Sequence, residues 1–267
     1  MIPFHRIRAI RNTKTGEDIY FRKGGVQYPL EEIKGHENLE DFEDKAHHPH
    51  REDLGSGDLV DIRCGARLSF PTKDVESFGE RVRDGLKFGM VELSFFEYSA
   101  TPQESEKYKS ILTYAENTVL ESGLNIASLH LPNVDILNEP AIRELLNTFL
   151  PFCRNVWCNN IVVHPAKIKG NSSRELDRAK TKLCAILKRI VDELEKYGIT
   201  LSIETFPGMH RMPSGADDTK KFLEYMPSSF KMAYDTSHTI GLTNEVIEDI
   251  SHNIDKISVF HFSNRYG

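Results

Sequence analysis

Five short segments of this sequence run from residues of β character into a side chain able to hold a metal. ASLH ends on His130, IVVH on His164, LSIE on Glu204, MAYD on Asp235 and SVFH on His261. Side chains alternate faces along a strand, so the residue two positions earlier shares the face of each terminal group. Those residues are Ser128, Val162, Ser202, Ala233 and Val259, small or β-branched, as an inward position in a crowded sheet requires. On neighbouring strands about 4.8 Å apart, the ends would bring three imidazoles and two carboxylates to one rim. Each group alone has a structural explanation, as a hydrogen-bonded histidine or a helix-capping carboxylate. Together they would require several such accidents at equivalent positions, and burying two carboxylates among imidazoles without a cation is costly. A metal site is therefore expected. Asp235 also opens DTSH, which adds His238 as a sixth donor. Imidazoles mixed with carboxylates suit zinc, manganese, iron or cobalt better than calcium or magnesium, and zinc and manganese stay unseparated.

The elements that must position these groups follow one rhythm from about residue 62. A short β-rich run is followed by a polar loop, an amphipathic helix, and a glycine or asparagine before the next run. The runs are 63–70, 90–96, 126–131, 161–164, 199–204, 231–235 and 257–261. In SSRELDRAKTKLCAILKRIVDELEKYG, Ser172 and Glu175 have capping-box spacing. Leu176, Ala179, Leu183, Leu187, Ile190 and Leu194 form an apolar stripe, and Gly198 supplies the stop. Similar stripes run through Val75, Phe78, Val82 and Leu86, and through Ile111, Leu112, Ala115 and Val119 before Gly123. A further helix starts at Pro140 and carries Ile142, Leu145, Leu146 and Phe149. Alternating strands and helices imply parallel pairing through right-handed crossovers. No GxGxxG follows the first strand, where SFPTKD stands, so a dinucleotide-binding sheet is disfavoured. The expectation is an α/β chain of (β/α)8 TIM-barrel type, incomplete or circularly permuted, with its site at the strand C-termini.

Residues 1–60 break the rhythm and are read as an extension, with the barrel at 61–267. IRAIRNTKTGEDIYFRK suggests a β-hairpin turning near Thr15 and Gly16. The following stretch is charged and rich in histidine. At 267 residues, 39% hydrophobic and 28% charged with a net charge of -6, the chain lacks the basic excess of a dedicated duplex binder, so nucleic acid is disfavoured as a partner. No apolar run approaches the roughly 20 residues of a membrane span, and MIPFHRIRAIRNTK lacks the apolar stretch of a signal peptide. A cytoplasmic protein without membrane contact is expected. Cys64, Cys153, Cys158 and Cys184 form no CxxC pair and read as buried free thiols.

LHLP, VVHP, SIET, YDTSH and FHFSN, in that order, resemble the xylose-isomerase-like barrel superfamily of sugar and sugar-phosphate isomerases and epimerases, which also includes the endonuclease IV class of abasic-site nucleases. The resemblance spans about residues 62–267. It implies a (β/α)8 barrel, a divalent metal at the strand ends, and Glu204, Asp235 and His261 as ligands. His130, His164 and His238 match further positions that the nuclease branch uses for a multinuclear zinc cluster. The family pattern continues past the seventh strand into an H-x-P-x-G-x-G loop, a helix and an eighth strand bearing a carboxylate, whereas this sequence stops. HHPHREDLGSGD, residues 47–58, resembles that loop placed ahead of the first strand. His47, His48 or His50 could then complete the rim, or the segment could be a solvated linker. Glu92, or a group of the hairpin, could stand in for the eighth-strand carboxylate.

Three functions follow as expectations. In the first, an isomerase or epimerase acts on a small sugar, polyol or sugar phosphate. The metal polarises a carbonyl, Glu204 or Glu92 moves the proton, and His210 and Arg211 contact an anionic group. The second is hydrolysis of phosphodiesters at abasic DNA. The third is a barrel that binds metal or ligand without catalysis.

Overall fold

The computed structural model describes residues 10–11, 18–19, 65–70, 75–95, 105–169, 172–208, 210–238 and 250–261. The chain divides into two compact units, one of them Gly65–Ile240 with Asn253–Arg265, the other Met1–Cys64 with Gly241–His252 and Tyr266–Gly267. In the second of these, β1 (Ile10–Arg11) pairs antiparallel with β2 (Asp18–Ile19), as a hairpin requires. His47, His48, His50 and Cys64 lie outside the described residues.

The larger unit holds β3 (Ala66–Ser69), α1 (Phe78–Leu86), β4 (Met90–Ser94), α2 (Ser105–Ser122), β5 (Asn125–His130), α3 (Glu139–Asn155), β6 (Asn160–Val163), β7 (Ala166–Lys167), α4 (Ser173–Glu195), β8 (Thr200–Glu204), β9 (Arg211–Met212), α5 (Gly215–Leu223), β10 (Lys231–Asp235) and β11 (Ile257–His261). Seven strands form one parallel sheet in the order β3-β4-β5-β6-β8-β10-β11, so each strand lies beside its predecessor in the chain. This is the succession of a TIM barrel, and the sheet is curled. Arg67 on β3, at one end of the order, brings a guanidinium nitrogen within 2.8 Å of His261 on β11 at the other end.

The helices form where the stripes place them. α4 begins with a capping box: the Glu175 N–H donates to Ser172 Oγ at 3.4 Å and the Ser172 N–H donates to Glu175 Oε2 at 3.2 Å. It buries Leu183, Leu187, Ile190 and Leu194. On α3, Asn138 caps the first turn, Pro140 occupies a first-turn position, and Ile142, Leu145, Leu146 and Phe149 are buried. α1 differs from its expected stripe. Leu86 is exposed, and Gly85 faces the sheet instead, where an added Cβ would stand 2.7 Å from Leu68 Cδ1. A side chain there would hold helix and sheet apart, so the last turn of α1 relies on a glycine for its closest approach.

Between sheet and helices, Phe70 stacks on Phe95 at 5.1 Å and lies 4.6 Å from Phe78, and Phe149 meets Phe95 edge-on at 5.1 Å. Phe70 and Phe95 directly follow β3 and β4, so this cluster fixes the strand ends from outside. Cys153 and Cys158 are buried free thiols and Cys184 is half-buried. Among the described residues no helix is long and apolar enough to cross a membrane.

Candidate metal centre

Glu204 is the hub of the strand-end groups. Its Oε2 lies 2.9 Å from His164 Nε2 and 3.4 Å from His130 Nε2, and its Oε1 lies 2.9 Å from His261 Nδ1. The His130 ring stands 4.7 Å from that of His164 and 5.8 Å from that of His261. On the far side, Asp235 Oδ2 is 3.6 Å from His238 Nδ1 and 3.8 Å from His261 Nδ1. Two sets of three donors have ligand atoms within 4.8 Å of one another, His130 with His164 and Glu204, and Glu204 with Asp235 and His238. Glu204 is common to both. All six strand-end and loop donors expected from the sequence thus converge on one place.

The hydrogen bonds show what these groups lack. A backbone carbonyl can only accept, so Nδ1 of His130 donates to Leu131 O at 3.1 Å and Nδ1 of His238 donates to Thr205 O at 2.9 Å. Each ring, when neutral, then turns an Nε2 lone pair outward, and that of His130 faces a carboxylate oxygen. Backbone carbonyls fixing the tautomer behind a nitrogen is the arrangement that orients metal-bound imidazoles. Nδ1 of His164 is buried without a hydrogen-bond partner. Acceptors facing acceptors around a shared carboxylate need a proton or a cation between them, so this donor set fits a divalent metal.

One layer below the strand ends the pattern reverses. Glu92 pairs in register with Arg67 on β3 and Ser128 on β5. Its Oε1 accepts from Arg67 Nε at 2.7 Å, and its Oε2 accepts from Ser128 Oγ at 2.8 Å and from His261 Nε2 at 3.0 Å. His261 therefore spans the layers, with Nδ1 on Glu204 and Nε2 on Glu92. Arg67 extends the floor toward Glu204, ending 4.0 Å from Oε1.

Burial alone would push both buried carboxyls up. For Glu204 it is outweighed where His130, His164 and His261 bring a proton to the carboxylate, and for Glu92 by the charge and hydrogen bond of His261, so both are held well below the usual carboxylate range. Burial disfavours the His261 cation, yet Glu92 and Glu204 raise its pKa to about 9. His164 is lowered by burial, with the neighbouring charges of His130 and Arg211 adding to the effect. A metal that engages His261 must displace its proton.

The mouth is lined by two loops. β7 pairs antiparallel with β9, and the Ile168 N–H donates to His210 O at 2.9 Å. The Arg211 guanidinium stacks 4.6 Å above the Phe206 ring, which itself lies 4.3 Å from the His238 ring and 6.0 Å from that of His164. His210 is exposed. Neither Arg67 nor Phe206 was singled out by the sequence reading. The signal for Arg67 was present: in GARLSF, Ala66, Leu68 and Phe70 are apolar and alternate with Gly65, Arg67 and Ser69. Because Leu68 faces α1, Arg67 must face the barrel interior.

The family model described as xylose isomerase-like TIM barrel matches residues 85–267. The chain belongs to this family. Among solved structures, this family member is similar to 3-keto-D-glucoside 4-epimerase from E. coli, at 14% identity and TM-score 0.59, over 76% of this chain and 80% of that one. It is also similar to an AP endonuclease of family 2 from Brucella melitensis, at 15% identity and TM-score 0.56, over 76% and 80% of the two chains. A third is D-allulose 3-epimerase from Methylomonas sp., at 15% identity and TM-score 0.57, over 76% and 73%. At these identities the likeness establishes the shared barrel. No curated relative is matched.

Proposed function

We propose that this protein is a divalent-metal-dependent isomerase or epimerase of a small sugar, polyol or sugar phosphate. The observation that carries the reading is the line Glu204–His261–Glu92, two buried carboxylates joined through both nitrogens of one imidazole beside the metal cage. His130, His164, Glu204, Asp235 and His238 would hold the cation, zinc or manganese, and His261 would join them where its proton is displaced. A cation held there would supply polarisation of a carbonyl and its neighbouring hydroxyl, which acidifies the adjacent C–H. Glu204 takes that carbon-bound proton and returns it to the adjacent carbon, which interconverts ketose and aldose; inversion at one carbon would need a second proton donor on its other face. Glu92 accepts the Nε2–H of His261 and so holds that ring with Nδ1 turned to the cage. Arg67 and Ser128 keep Glu92 ionised and pointed at Nε2. Glu92 thus serves as the second carboxylate from the layer below the rim. His210 and Arg211 border the mouth where the rest of the substrate would lie.

The structures of a keto-glucoside epimerase and an allulose epimerase on the same barrel support this chemistry. A second reading, phosphodiester hydrolysis at abasic DNA, draws on the two donor sets that share Glu204, a geometry suited to paired cations, and on the likeness to an AP endonuclease. Metal analysis of the purified protein followed by assays in D2O on an aldose and ketose panel tests the first reading. The expected result is solvent deuterium at the carbon beside the carbonyl, lost by about 100-fold or more in Glu204→Gln. Cleavage of an abasic oligonucleotide with no deuterium exchange would favour the nuclease. Metal binding with neither activity would leave a non-catalytic barrel.

A further inference from the structure

The two loops over the mouth place a pair of cations where nothing in the fold calls for them. In the β7–β9 ladder Lys167 stands directly opposite Arg211. Residues opposite one another in an antiparallel pair project from the same face, and like charges so placed repel. Their neighbours Ala166 and Met212, on the other face, are buried. Among the described residues no carboxylate pairs with either Lys167 or Arg211, in a chain whose net charge is -6. Carboxylates are abundant in the sequence, and among the described residues none is spent here.

Arg211 is also held rather than trailing in solvent. Its guanidinium lies on Phe206, and one of its N–H groups donates to Pro165 O at 3.3 Å. The loop that carries it is braced by Arg211 N–H to Gly208 O at 3.0 Å, Gly208 N–H to Ser214 Oγ at 3.1 Å, Ser214 Oγ–H to Gly208 O at 3.0 Å and Gly215 N–H to Phe206 O at 3.0 Å. A planar fork with one donor engaged and, among the described residues, the rest unspent, fixed before binding, is suited to a planar or tetrahedral oxyanion. The same Phe206 ring that carries it lies against His238 of the metal cage.

We propose that Lys167 and Arg211 form an oxyanion subsite that takes a phosphate or carboxylate at the end of the substrate remote from the reacting carbon. The proposal rests on the metal-cage reading for its substrate but not for its binding test. Phe206 then acts as a spacer, setting the distance between the anionic end and the carbonyl at the cage.

The test uses inorganic phosphate as the probe, titrated calorimetrically into the full-length metal-loaded protein, with acetate in a parallel arm. Saturable phosphate binding is expected, weakened at least tenfold in Arg211→Gln and about threefold in Lys167→Met, and unchanged in Lys188→Ala, which removes an exposed cation from α4. Phosphate tighter than acetate assigns the subsite to phosphate, and the reverse order assigns it to carboxylate. Because phosphate could sit on the cation instead, Glu204→Gln is titrated as well, and binding is expected to survive there. Binding that disappears in Glu204→Gln, or that persists at full strength in both Arg211→Gln and Lys167→Met, would overturn the subsite. Lys167→Met alters only an exposed side chain, so it decides the matter even where Arg211→Gln folds poorly. If no sugar exchanges deuterium while phosphate binding follows this pattern, the isomerase reading fails and the subsite stands.

Discussion

The rim and the floor of the barrel use the same residue types to opposite ends. In the floor, Glu92 has a donor on every side, from Arg67, Ser128 and His261, and its charge is fully answered. At the rim, His130 and His238 commit their Nδ1 protons to backbone carbonyls, and His164 keeps a buried nitrogen without a partner. Burial of ionisable groups is thus not in itself the mark of a metal site, since the floor is equally buried and complete. What distinguishes the rim is a surplus of acceptors over donors. A cation removes that surplus at the rim, while in the floor it would find no lone pair to take.

The comparison is broken most directly by removing the hub. Glu204→Gln is expected to weaken metal binding by more than the roughly 10–100-fold that loss of an outer partner costs, since it deletes the group common to both donor sets. Glu92→Gln, which leaves both donor sets intact and alters only the partner behind His261, should cost no more than that roughly 10–100-fold. Metal titration of both variants checks this, and equal losses would erase the distinction between the layers.

The next largest effect is expected from pH, in protein stripped of metal with a chelator. His261 titrates near 9 when folded against an ordinary value of 6.5. Below 6.5 both folded and unfolded chains carry the proton and its contribution to stability is full. Between 6.5 and 9 the folded chain holds a proton that the unfolded chain has lost, so the unfolding free energy falls as pH rises, by about 3 kcal/mol in all. Urea unfolding across this window measures the loss. Glu92 and Glu204 act in the opposite sense, their contribution being lost as pH falls through and below the usual carboxylate range. Metal bound at the rim should flatten the alkaline side. Arg67→Met, which opens the floor and removes the guanidinium beside His261 Nδ1, should cost about 1–2 kcal/mol, below the usual penalty for a broken buried pair because a third of the Arg67 side chain reaches solvent.

The rim was legible in the sequence because a strand has period two and each unit ended on a ligand type. Once the strands at 126–131, 161–164, 199–204, 231–235 and 257–261 are recognised, their last residues share a face by geometry alone. The floor was not legible for the same kind of reason. Arg67 is a lone charge in a four-residue strand, and in isolation that pattern reads as a solvent-facing position. Only the contact of Leu68 with α1 fixes which face is inward. Glu92 could be named as a substitute carboxylate, but its partner on β11 lies 169 residues away, and no local pattern encodes a contact made by curling the sheet. Leu86 shows the same limit on a helix, where a stripe extended by one turn missed that Gly85 is the residue pressed to the sheet.

The smallest effect separates the site from the scaffold that carries it. α3 ends in a Schellman turn, with the Cys158 N–H donating to Cys153 O at 2.8 Å and the Trp157 N–H donating to Arg154 O at 3.3 Å. This turn needs a residue in the left-handed region, and Trp157 fills it at φ 54° while 84% exposed. A β-carbon there strains against the backbone, and the indole recovers little by burial. Trp157→Gly should therefore raise stability by about 0.5–1 kcal/mol in spite of glycine's larger unfolded-state entropy, with metal content unaltered. A chemical denaturation midpoint that falls instead would show that the exposed indole is held by a contact of its own. A change in metal content would show that the barrel's lower end and its rim are coupled through β6, which starts three residues after Trp157 and runs up to His164.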